Sequence, residues 1–233
     1  MAKKGESPHL KRIAASTYSP VLRKSSEWLM KPGCGVHPAC HSVALVVLIR
    51  DILNLADNSK EVKAIMKNGD ILIDGKIRKV DNFAVGMMDV VSIPKMKKYY
   101  RMIIDSKERA KLLEIKEEES KYKLCKVKSK TTAKKGKLQI GTHDGRLFPL
   151  TQKADIGDVL KVSIPEEKVI GVYRLEKGAR CIIEKGKHAG KIVVVEELTP
   201  STQMRKSEAK LKSENGDIIT VKDYLFVIGD ALQ

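Results

Sequence analysis

The chain has 233 residues, which is enough for one substantial core or for two or three small ones, and we expect several small units. Its 45 lysines and arginines against 29 aspartates and glutamates give a formal net charge of +16. This excess predicts a polyanionic partner, with nucleic acid as the first candidate and an anionic membrane as the second. Aromatic residues make up only 4% of the chain, which disfavours extensive base stacking and favours phosphate contacts with a folded RNA.

Cysteine usage and the absence of targeting signals predict a cytoplasmic protein. The four cysteines lie outside any disulfide framework, and no charged and then apolar leader opens the chain. The longest apolar run, from Val43 to Ile49, is far shorter than the roughly 20 residues that a membrane span requires. We therefore expect no membrane partner.

Residues 1 to 42 are predicted to form a basic N-terminal arm. Lysines and arginines stand among Pro, Gly and Ser with almost no apolar periodicity, so the segment cannot build its own core. It is either a disordered tail or an arm that becomes ordered against RNA, and the single tryptophan, Trp28, favours ordering. We expect the arm to be flexible in the free protein and to contact RNA through Lys11 and Arg12.

The stretch "KPGCGVHPACHS" contains four potential metal ligands, namely Cys34, His37, Cys40 and His41. Zinc sites usually combine a short cysteine pair with a second pair some distance away, whereas these four are crowded around Pro38. We therefore predict no metal. In the favoured interpretation this is a loop that leads into a helix, with His37 packed or touching a phosphate and with reduced cysteines.

Two consecutive helices are predicted after the arm. "VALVVLIRDILNLA" is long and apolar enough for a buried helix, in which Arg50 is a candidate RNA contact. In "DNSKEVKAIMKNG", Asn58 is a candidate N-cap, Glu61 stands three residues later, and Gly69 is the stop.

The second helix is predicted to have two opposite faces. The apolar face consists of Val62, Ile65 and Met66. The cationic face consists of Lys60, Lys63 and Lys67. An ordinary solvated face is the alternative, but the adjoining segment is basic as well, and we expect these lysines to contact RNA.

A basic hairpin follows. In "DILIDGKIRKV", Asp74 and Gly75 form a two-residue turn, after which Lys76 and Arg78 are candidate RNA contacts. A glycine-containing loop and a strand from Asp89 to Ile93 come next. The order of helix, helix, hairpin, loop and strand, with "VKAIMKNGDILIDGKI" at its centre, resembles the alpha-L RNA-binding module over residues 43–105. The same module occurs in pseudouridine synthases, tyrosyl-tRNA synthetases and heat-shock RNA-binding proteins.

Residues 106–175 are predicted to form a β-rich central domain. Turn signals occur at Lys135-Gly136, at Asp144-Gly145 and around Gly157, and a charged helix is predicted around "KEEESKYKLCKV". Arg146, after the second turn, is a candidate RNA contact. His143 and Asp144 resemble a catalytic dyad, but no nucleophile motif accompanies them, so we predict no catalytic residues.

Residues 176–233 are predicted to form an SH3-like β-barrel. In "KGARCIIEKGKHAGKIVVVEEL", Gly186 and Gly190 permit a close backbone approach, and a strand follows. The loop resembles the KOW motif of ribosomal and transcription-elongation proteins. Its candidate phosphate contacts are Lys185, Lys187 and Lys191. The glycine spacing does not match a nucleotide-binding P-loop, so no cofactor or small-molecule substrate is expected.

The succession of motifs along the whole chain, including "HLKR", "AVGMMDVVSIP", "YKLCKV", "HDGR" and "FVIG", resembles the S4e family of small-subunit ribosomal proteins. The chain stops soon after "FVIG" without a basic extension, which points to an archaeal member. The resemblance implies a multi-domain α+β protein that is a non-catalytic part of the 30S particle. Its implied partners are 16S ribosomal RNA and neighbouring small-subunit proteins.

Two other function classes remain open. An RNA-modifying enzyme with an alpha-L module would need an added catalytic domain, and the β-rich remainder shows no constellation of acid and base residues. A free RNA-binding or transcription-elongation factor is the stronger alternative because of the KOW-like segment.

Overall fold

Antiparallel pairing of short strands dominates the architecture. The structure, a computed structural model, describes residues 7–133, 136, 138–149, 154–201, 207–213 and 216–229. Within them the strands form three five-stranded sheets and two two-stranded ribbons. We predicted an α+β protein, but the described helices are few and short, so the fold is mostly β.

The N-terminal arm lies against the body of the protein. Its side chains Ala15, Tyr18 and Leu29 are buried in the main hydrophobic core. Its two strands pair with each other, Leu10 opposite Leu29. The elements of the arm are β1 (Leu10–Lys11), a 3₁₀ turn (Arg12–Ala14), β2 (Trp28–Leu29) and a second 3₁₀ turn (Ala39–His41).

Arg12 fastens the arm to the first helical segment. Its guanidinium donates to the carbonyl oxygen of Leu22 at 2.6 Å and to Asp51 Oδ2 at 3.1 Å. In the structure residues 7–42 therefore pack against the body, whereas the sequence analysis predicts an arm that is flexible in the free protein. The apolar residues of the arm have no periodicity because the chain is irregular there, so their burial could not be read from the sequence pattern.

The first predicted helix is shorter than expected. The segment begins as β3 (Ser42–Ala44), which pairs with β6 (Ala84–Gly86). It continues as α1 (Leu45–Val47) and as one π-helical stretch (Leu48–Ile52). Pairing with β6 prevents the first residues of the apolar run from being helical, although residues 43–49 are all buried, as expected.

The second helix, α2 (Ser59–Lys67), lies where the sequence predicts it. The carboxylate of Glu61 accepts the backbone N–H of Asn58 at 3.4 Å, as in a capping box. Gly69 ends the helix with a φ of +80°, a conformation that glycine adopts without strain.

The first large sheet has the strand order β5-β4-β7-β8-β9. Asp74 and Gly75 have φ angles of 49° and 71°, so the predicted two-residue hairpin turn is confirmed. The sheet continues past the predicted boundary at residue 105. Its strands are β4 (Leu72–Ile73), β5 (Lys76–Ile77), β7 (Val90–Ile93), β8 (Lys98–Ile104) and β9 (Ala110–Ile115).

The central sheet has the order β12-β11-β10-β13-β14. The predicted charged helix is wrong in extent, because only α3 (Glu117–Ser120) is helical and "YKLCKV" pairs with β13 as the start of a long strand. The predicted turn residue Lys135 lies outside the described residues. The strands are β10 (Tyr122–Thr132), β11 (Leu138–Thr142), β12 (Leu147–Pro149), β13 (Val159–Ser163) and β14 (Val169–Tyr173).

The C-terminal sheet has the order β18-β17-β16-β15-β19. The predicted strand at 192–195 is confirmed as the start of β16. The strands are β15 (Arg180–Ile183), β16 (Ile192–Thr199), β17 (Glu208–Ser213), β18 (Gly216–Val221) and β19 (Leu225–Val227).

Two hydrophobic cores support these sheets. The larger one joins residues of the arm, the helical segments, the first sheet and the C-terminal sheet. The smaller one lies in the central sheet around Cys125, Ile140 and Leu160. No helix in the described part of the chain is long and apolar enough to cross a membrane.

A buried ammonium group joins the central sheet to the first sheet. Lys123 of β10 is fully buried, and its Nζ lies 2.8 Å from Asp74, 2.5 Å from Asp89 and 3.2 Å from Asp144. Arg146 contributes a second cation 2.6 Å from Asp74. We call these five residues the charge cluster.

The arm reaches the same cluster. His37 Nε2 lies 3.0 Å from the Asp89 carboxylate, which also accepts the backbone N–H of Gly86. Burial opposes ionisation of Asp89, but Lys123 and His37 outweigh it and hold the pKa of this carboxyl below its usual value. Burial likewise opposes the charge of Lys123, whose pKa is nevertheless raised, chiefly by Asp89 and Asp74.

Replacing Lys123 with methionine leaves three buried carboxylates without their ammonium. We expect the free energy of unfolding at pH 7 to fall by about 3–5 kcal/mol, the usual cost of removing one partner of a buried ion pair. Chemical denaturation followed by circular dichroism measures this change. Lys121→Met, at an exposed lysine nearby, is the control and should change stability by less than about 0.5 kcal/mol.

The difference between Lys123→Met and the native protein should depend on pH. Because the folded-state pKa values of Asp89 and Asp144 are depressed, their contribution is present above the unfolded aspartate pKa of about 3.9 and is lost as the pH falls. The variant loses the part of this contribution that Lys123 supplies, so the two unfolding free energies should converge in acid. Equal stabilities at pH 7 would contradict the role assigned to the cluster.

Candidate nucleic-acid interface

Several of the cations that we predicted to contact RNA form ion pairs with carboxylates of the protein itself. In these pairs the positive charge is neutralised before any RNA approaches, which weakens the attraction to phosphate. The pairs are Arg12 and Arg50 with Asp51, Lys63 with Asp81, Lys76 with Glu167, and Arg146 with Asp74 and Asp144.

The strength of this neutralisation depends on burial. Arg12 is buried and Arg146 belongs to the charge cluster, so we leave both out of the interface. The Lys63–Asp81 pair is exposed, and such pairs contribute little and exchange partners readily. Within this pair, the hydrogen bond from Lys63 lowers the pKa of the Asp81 carboxyl.

The hairpin cations are also engaged. Lys76 Nζ lies 2.6 Å from Glu167 on the β13–β14 turn, so the hairpin rests against the central domain. The guanidinium of Arg78 stacks over the Phe83 ring, 4.7 Å from its centroid. The predicted basic ribbon is thus partly an internal contact between segments.

Four of the predicted cations are exposed without a carboxylate within 4.0 Å among the residues that the structure describes. They are Lys11 on β1, Lys60 and Lys67 on α2, and Lys187 in the loop between β15 and β16. On α2 the two lysines lie opposite the buried side chains Val62 and Met66. The predicted division of this helix into a packed face and a cationic face is therefore present in the structure.

The loop between β15 and β16 docks on the turn between β8 and β9. The backbone N–H of Gly186 donates to the carboxylate of Glu108. Gly190, with a φ of +74°, lies so close to Asp105 that a Cβ atom would stand 2.8 Å from its carbonyl oxygen. Glycine is therefore required at position 190 by both its conformation and this contact.

Docking brings together cations that are distant in sequence. Lys107 and Arg109 are exposed on either side of Glu108, and we did not predict them as contacts. No local signal distinguishes them from other surface cations. Together with the loop lysines they form what we call the two-turn patch: Lys107, Arg109, Lys185, Lys187 and Lys191.

The four potential zinc ligands of the arm do not converge. Cys34 and Cys40 are exposed, whereas His37 is buried against Asp89. His41 is half-buried beside Tyr18, with ring centroids 6.0 Å apart. This arrangement agrees with the interpretation of a loop in which His37 is packed.

A different set of side chains has metal-like spacing. In the described residues, the ligand atoms of Cys125, His143 and Asp144 lie within 4.8 Å of one another. Asp144 already pairs with Lys123, and burial raises the pKa of the Cys125 thiol. Both ring nitrogens of His143 form hydrogen bonds with backbone groups, and burial lowers the pKa of His143 to about 3. The set therefore suits internal bonding better than a cation.

Replacing both exposed cysteines tests the absence of zinc. We expect Cys34→Ser with Cys40→Ser to leave the melting temperature and RNA binding almost unchanged, because both side chains are exposed and neither approaches His37 as a ligand set. Thermal denaturation and metal analysis of the purified protein measure this. Stoichiometric zinc, with unfolding on chelation, would contradict the expectation.

Comparison with known proteins gives consistent matches. The model of the ribosomal family S4e matches residues 96–169. The small ribosomal subunit protein eS4 of Methanosphaera stadtmanae is 39% identical over 229 residues, which are 98% of this chain and 95% of the relative. The eS4 protein of Methanocaldococcus jannaschii is 39% identical over 240 residues, covering 99% and 97%.

A solved structure agrees with these matches. The crystal structure of the 30S ribosomal protein S4e from Thermoplasma acidophilum has a TM-score of 0.70 and 33% identity, over 81% of this chain and 95% of that one. Sequence relatives that span nearly the whole chain and a structural neighbour of the same fold point to one family. This chain belongs to the S4e family of ribosomal proteins.

Proposed function

We propose that this protein is a structural constituent of the small ribosomal subunit and binds 16S rRNA through phosphate contacts. The observation that carries the proposal is the two-turn patch, in which a glycine loop docks on a neighbouring turn and the two segments carry five cations. Relatives named small ribosomal subunit protein eS4 support the location. The partners would be the rRNA and adjacent small-subunit proteins, in the cytoplasm.

The predicted domain organisation remains part of this proposal. The α2 helix and the hairpin after it have the order expected of an alpha-L module at 43–105. A five-stranded sheet, with the glycine loop between its first two strands, supports an SH3-like barrel with a KOW motif at 176–233. The central sheet falls within 106–175, and the arm precedes the module.

The mechanism is electrostatic docking on folded RNA. Lysine provides a mobile point charge that neutralises a phosphate with little discrimination between bases. Each neutralised phosphate releases condensed counterions, so affinity should fall steeply as salt increases. Position on the RNA is then set by the rigid spacing of the cationic surfaces, which the charge cluster and the cores hold in place.

A free RNA-binding or transcription-elongation factor is the second candidate. The β15–β16 loop favours it, because loops of this kind also occur in elongation proteins. Sedimentation of a cell lysate through a sucrose gradient distinguishes the two. Cofractionation with small subunits that survives a high-salt wash supports the ribosomal role, whereas a predominantly free pool supports the factor.

Removing cations from the two-turn patch should reduce the salt dependence of RNA binding. For Lys107→Ala with Lys187→Ala and Lys191→Ala, we expect the log–log salt slope to flatten by roughly two to three, somewhat less than one unit per lost phosphate contact. Filter binding of 16S rRNA across a salt series measures the slope. Circular dichroism verifies that the substitutions, two at exposed lysines and one at the half-buried Lys191, leave the fold intact.

The matched control replaces the same three lysines with arginine, which keeps the charge and should keep the slope. Lys60→Ala with Lys67→Ala applies the same measurement to the α2 face, where we expect a decrease of roughly one to two. An unchanged slope in the folded patch variant would remove the patch from the interface.

A further inference from the structure

A cleft of about 570 Å³ opens where the arm, the central sheet and the C-terminal sheet meet. This volume lies within the range of roughly 300–1,000 Å³ typical of ligand sites. Tyr18 and His41 of the arm line it, together with Lys128 of β10 and with Lys185 and Lys222 of the C-terminal segment. Of these residues, only Lys185 belongs to the interface described above.

The cleft has an excess of free positive charge. Lys128, Lys185 and Lys222 have no carboxylate within 4.0 Å in the part of the chain that the structure describes. Two carboxylates, Glu184 and Asp223, line the cleft as well. Lys126 lies against the first of them, since its Nζ is 3.7 Å from the Glu184 carboxylate, and it also donates to the carbonyl oxygen of Asp223 at 2.6 Å. The four lysines of the lining outnumber the two carboxylates, so a positive potential that attracts an anion remains.

Neighbouring groups respond to this potential. Burial lowers the pKa of His41, and the charges of Lys185 and Lys128 lower it further. The imidazole is thus favoured in its neutral form, so the ring adds an aromatic surface to the cleft without adding another cation. The cleft consequently combines ammonium groups with an uncharged aromatic ring.

The hydroxyl of Tyr18 lacks a partner. Tyr18 is 3% exposed, and its buried oxygen makes no hydrogen bond with the described residues. Burial, followed by the charges of Asp89 and Glu184, raises the pKa of this phenol, so the hydroxyl stays protonated and can both donate and accept. A buried polar group without a partner is unfavourable in the free protein, and a ligand with a polar edge would satisfy it.

We propose that the cleft binds one unstacked nucleotide of the bound RNA, with its phosphate facing Lys128, Lys185 and Lys222 and its base meeting His41 and the Tyr18 hydroxyl. The proposal rests on the proposed RNA-binding function and deepens it. Proteins commonly recognise bases splayed out of loops and bulges by stacking and by hydrogen bonds to their edges. One inserted base is also compatible with the low aromatic content of the chain.

Two features favour a nucleotide of the RNA over a free anion. Inorganic phosphate would engage the lysines but would leave the imidazole ring and the buried hydroxyl unused. Lys185 belongs both to the cleft and to the two-turn patch, so a strand whose phosphates lie on the patch is already next to the cleft. The cleft would thus bind one nucleotide of an RNA strand whose neighbouring phosphates lie on the two-turn patch.

Tyr18→Phe removes only the unpartnered oxygen. If the hydroxyl had no ligand, its loss would leave RNA affinity unchanged. We expect the melting temperature to be equal or higher, and the affinity of the full chain for 16S rRNA to fall by about two- to tenfold, as for one lost hydrogen bond. Tyr100→Phe, at a tyrosine outside the cleft, is the matched control and should bind as the native protein does.

Ultraviolet cross-linking locates the contact directly. The complex of the full chain with a 16S rRNA transcript is irradiated, and peptides that carry a nucleotide are identified by mass spectrometry. We expect adducts on the peptide that contains Tyr18 or on the one that contains His41. Lys128→Ala with Lys222→Ala should weaken these adducts and flatten the salt slope by roughly one to two.

Failure of the cleft and failure of the proposed function give different results. The cleft proposal would be overturned if rRNA bound normally, no cross-link formed on the peptides that contain Tyr18 or His41, and Tyr18→Phe bound with unchanged affinity. The RNA-binding role would then remain in place. If the native chain did not bind rRNA at all, both the cleft proposal and the proposed function would be overturned.

Nuclear magnetic resonance titrations with the four nucleoside monophosphates and with phosphate are the last experiment. Cleft signals that shift equally with phosphate alone, or that rRNA does not compete for, would also overturn the cleft proposal.

Discussion

The ammonium of Lys123, buried among three aspartates, is the interaction on which the arrangement of the segments depends. Asp74 and Asp89 belong to the first sheet, Asp144 and Lys123 to the central sheet, and the arm joins through His37. Each charge was removed from water at a cost that only its partners offset. The segments are therefore held in one geometry, because a shift that separates a pair while the site stays closed to water leaves a buried charge uncompensated.

This internal use of charge decides which cations remain for a partner. The most deeply buried cations, such as Lys123 and Arg12, hold segments together. Among the described residues, several exposed cations have no carboxylate within 4.0 Å, for example Lys60 on α2 and Lys187 in the loop between β15 and β16. The proposed RNA-binding surface therefore consists of exposed cations that no internal ion pair uses. The cleft lies at a junction of the same segments, so the packing that orients the surfaces also forms it.

Local signals predicted local structure well. Asn58, Glu61 and Gly69 marked the ends of α2, and Asp74 with Gly75 marked the hairpin, because capping and positive φ are decided by a few neighbouring residues. Predictions that depended on distant pairing were less successful. The helix expected at 43–56 begins as a strand because β6 pairs with it, and "YKLCKV" became a strand because β13 lies beside it.

The sequence by itself determined the family, the basic character of the chain and the positions of its turns and of α2, since composition, motif order and capping are local properties. Only the tertiary structure decided which charges are available. Lys123 and Arg146 look like ordinary basic residues in the sequence, yet both are neutralised by aspartates. Lys107 joins a loop about 80 residues away because Gly186 and Gly190 dock on its turn. Pairing and burial depend on contacts between distant segments, and no local pattern encodes them.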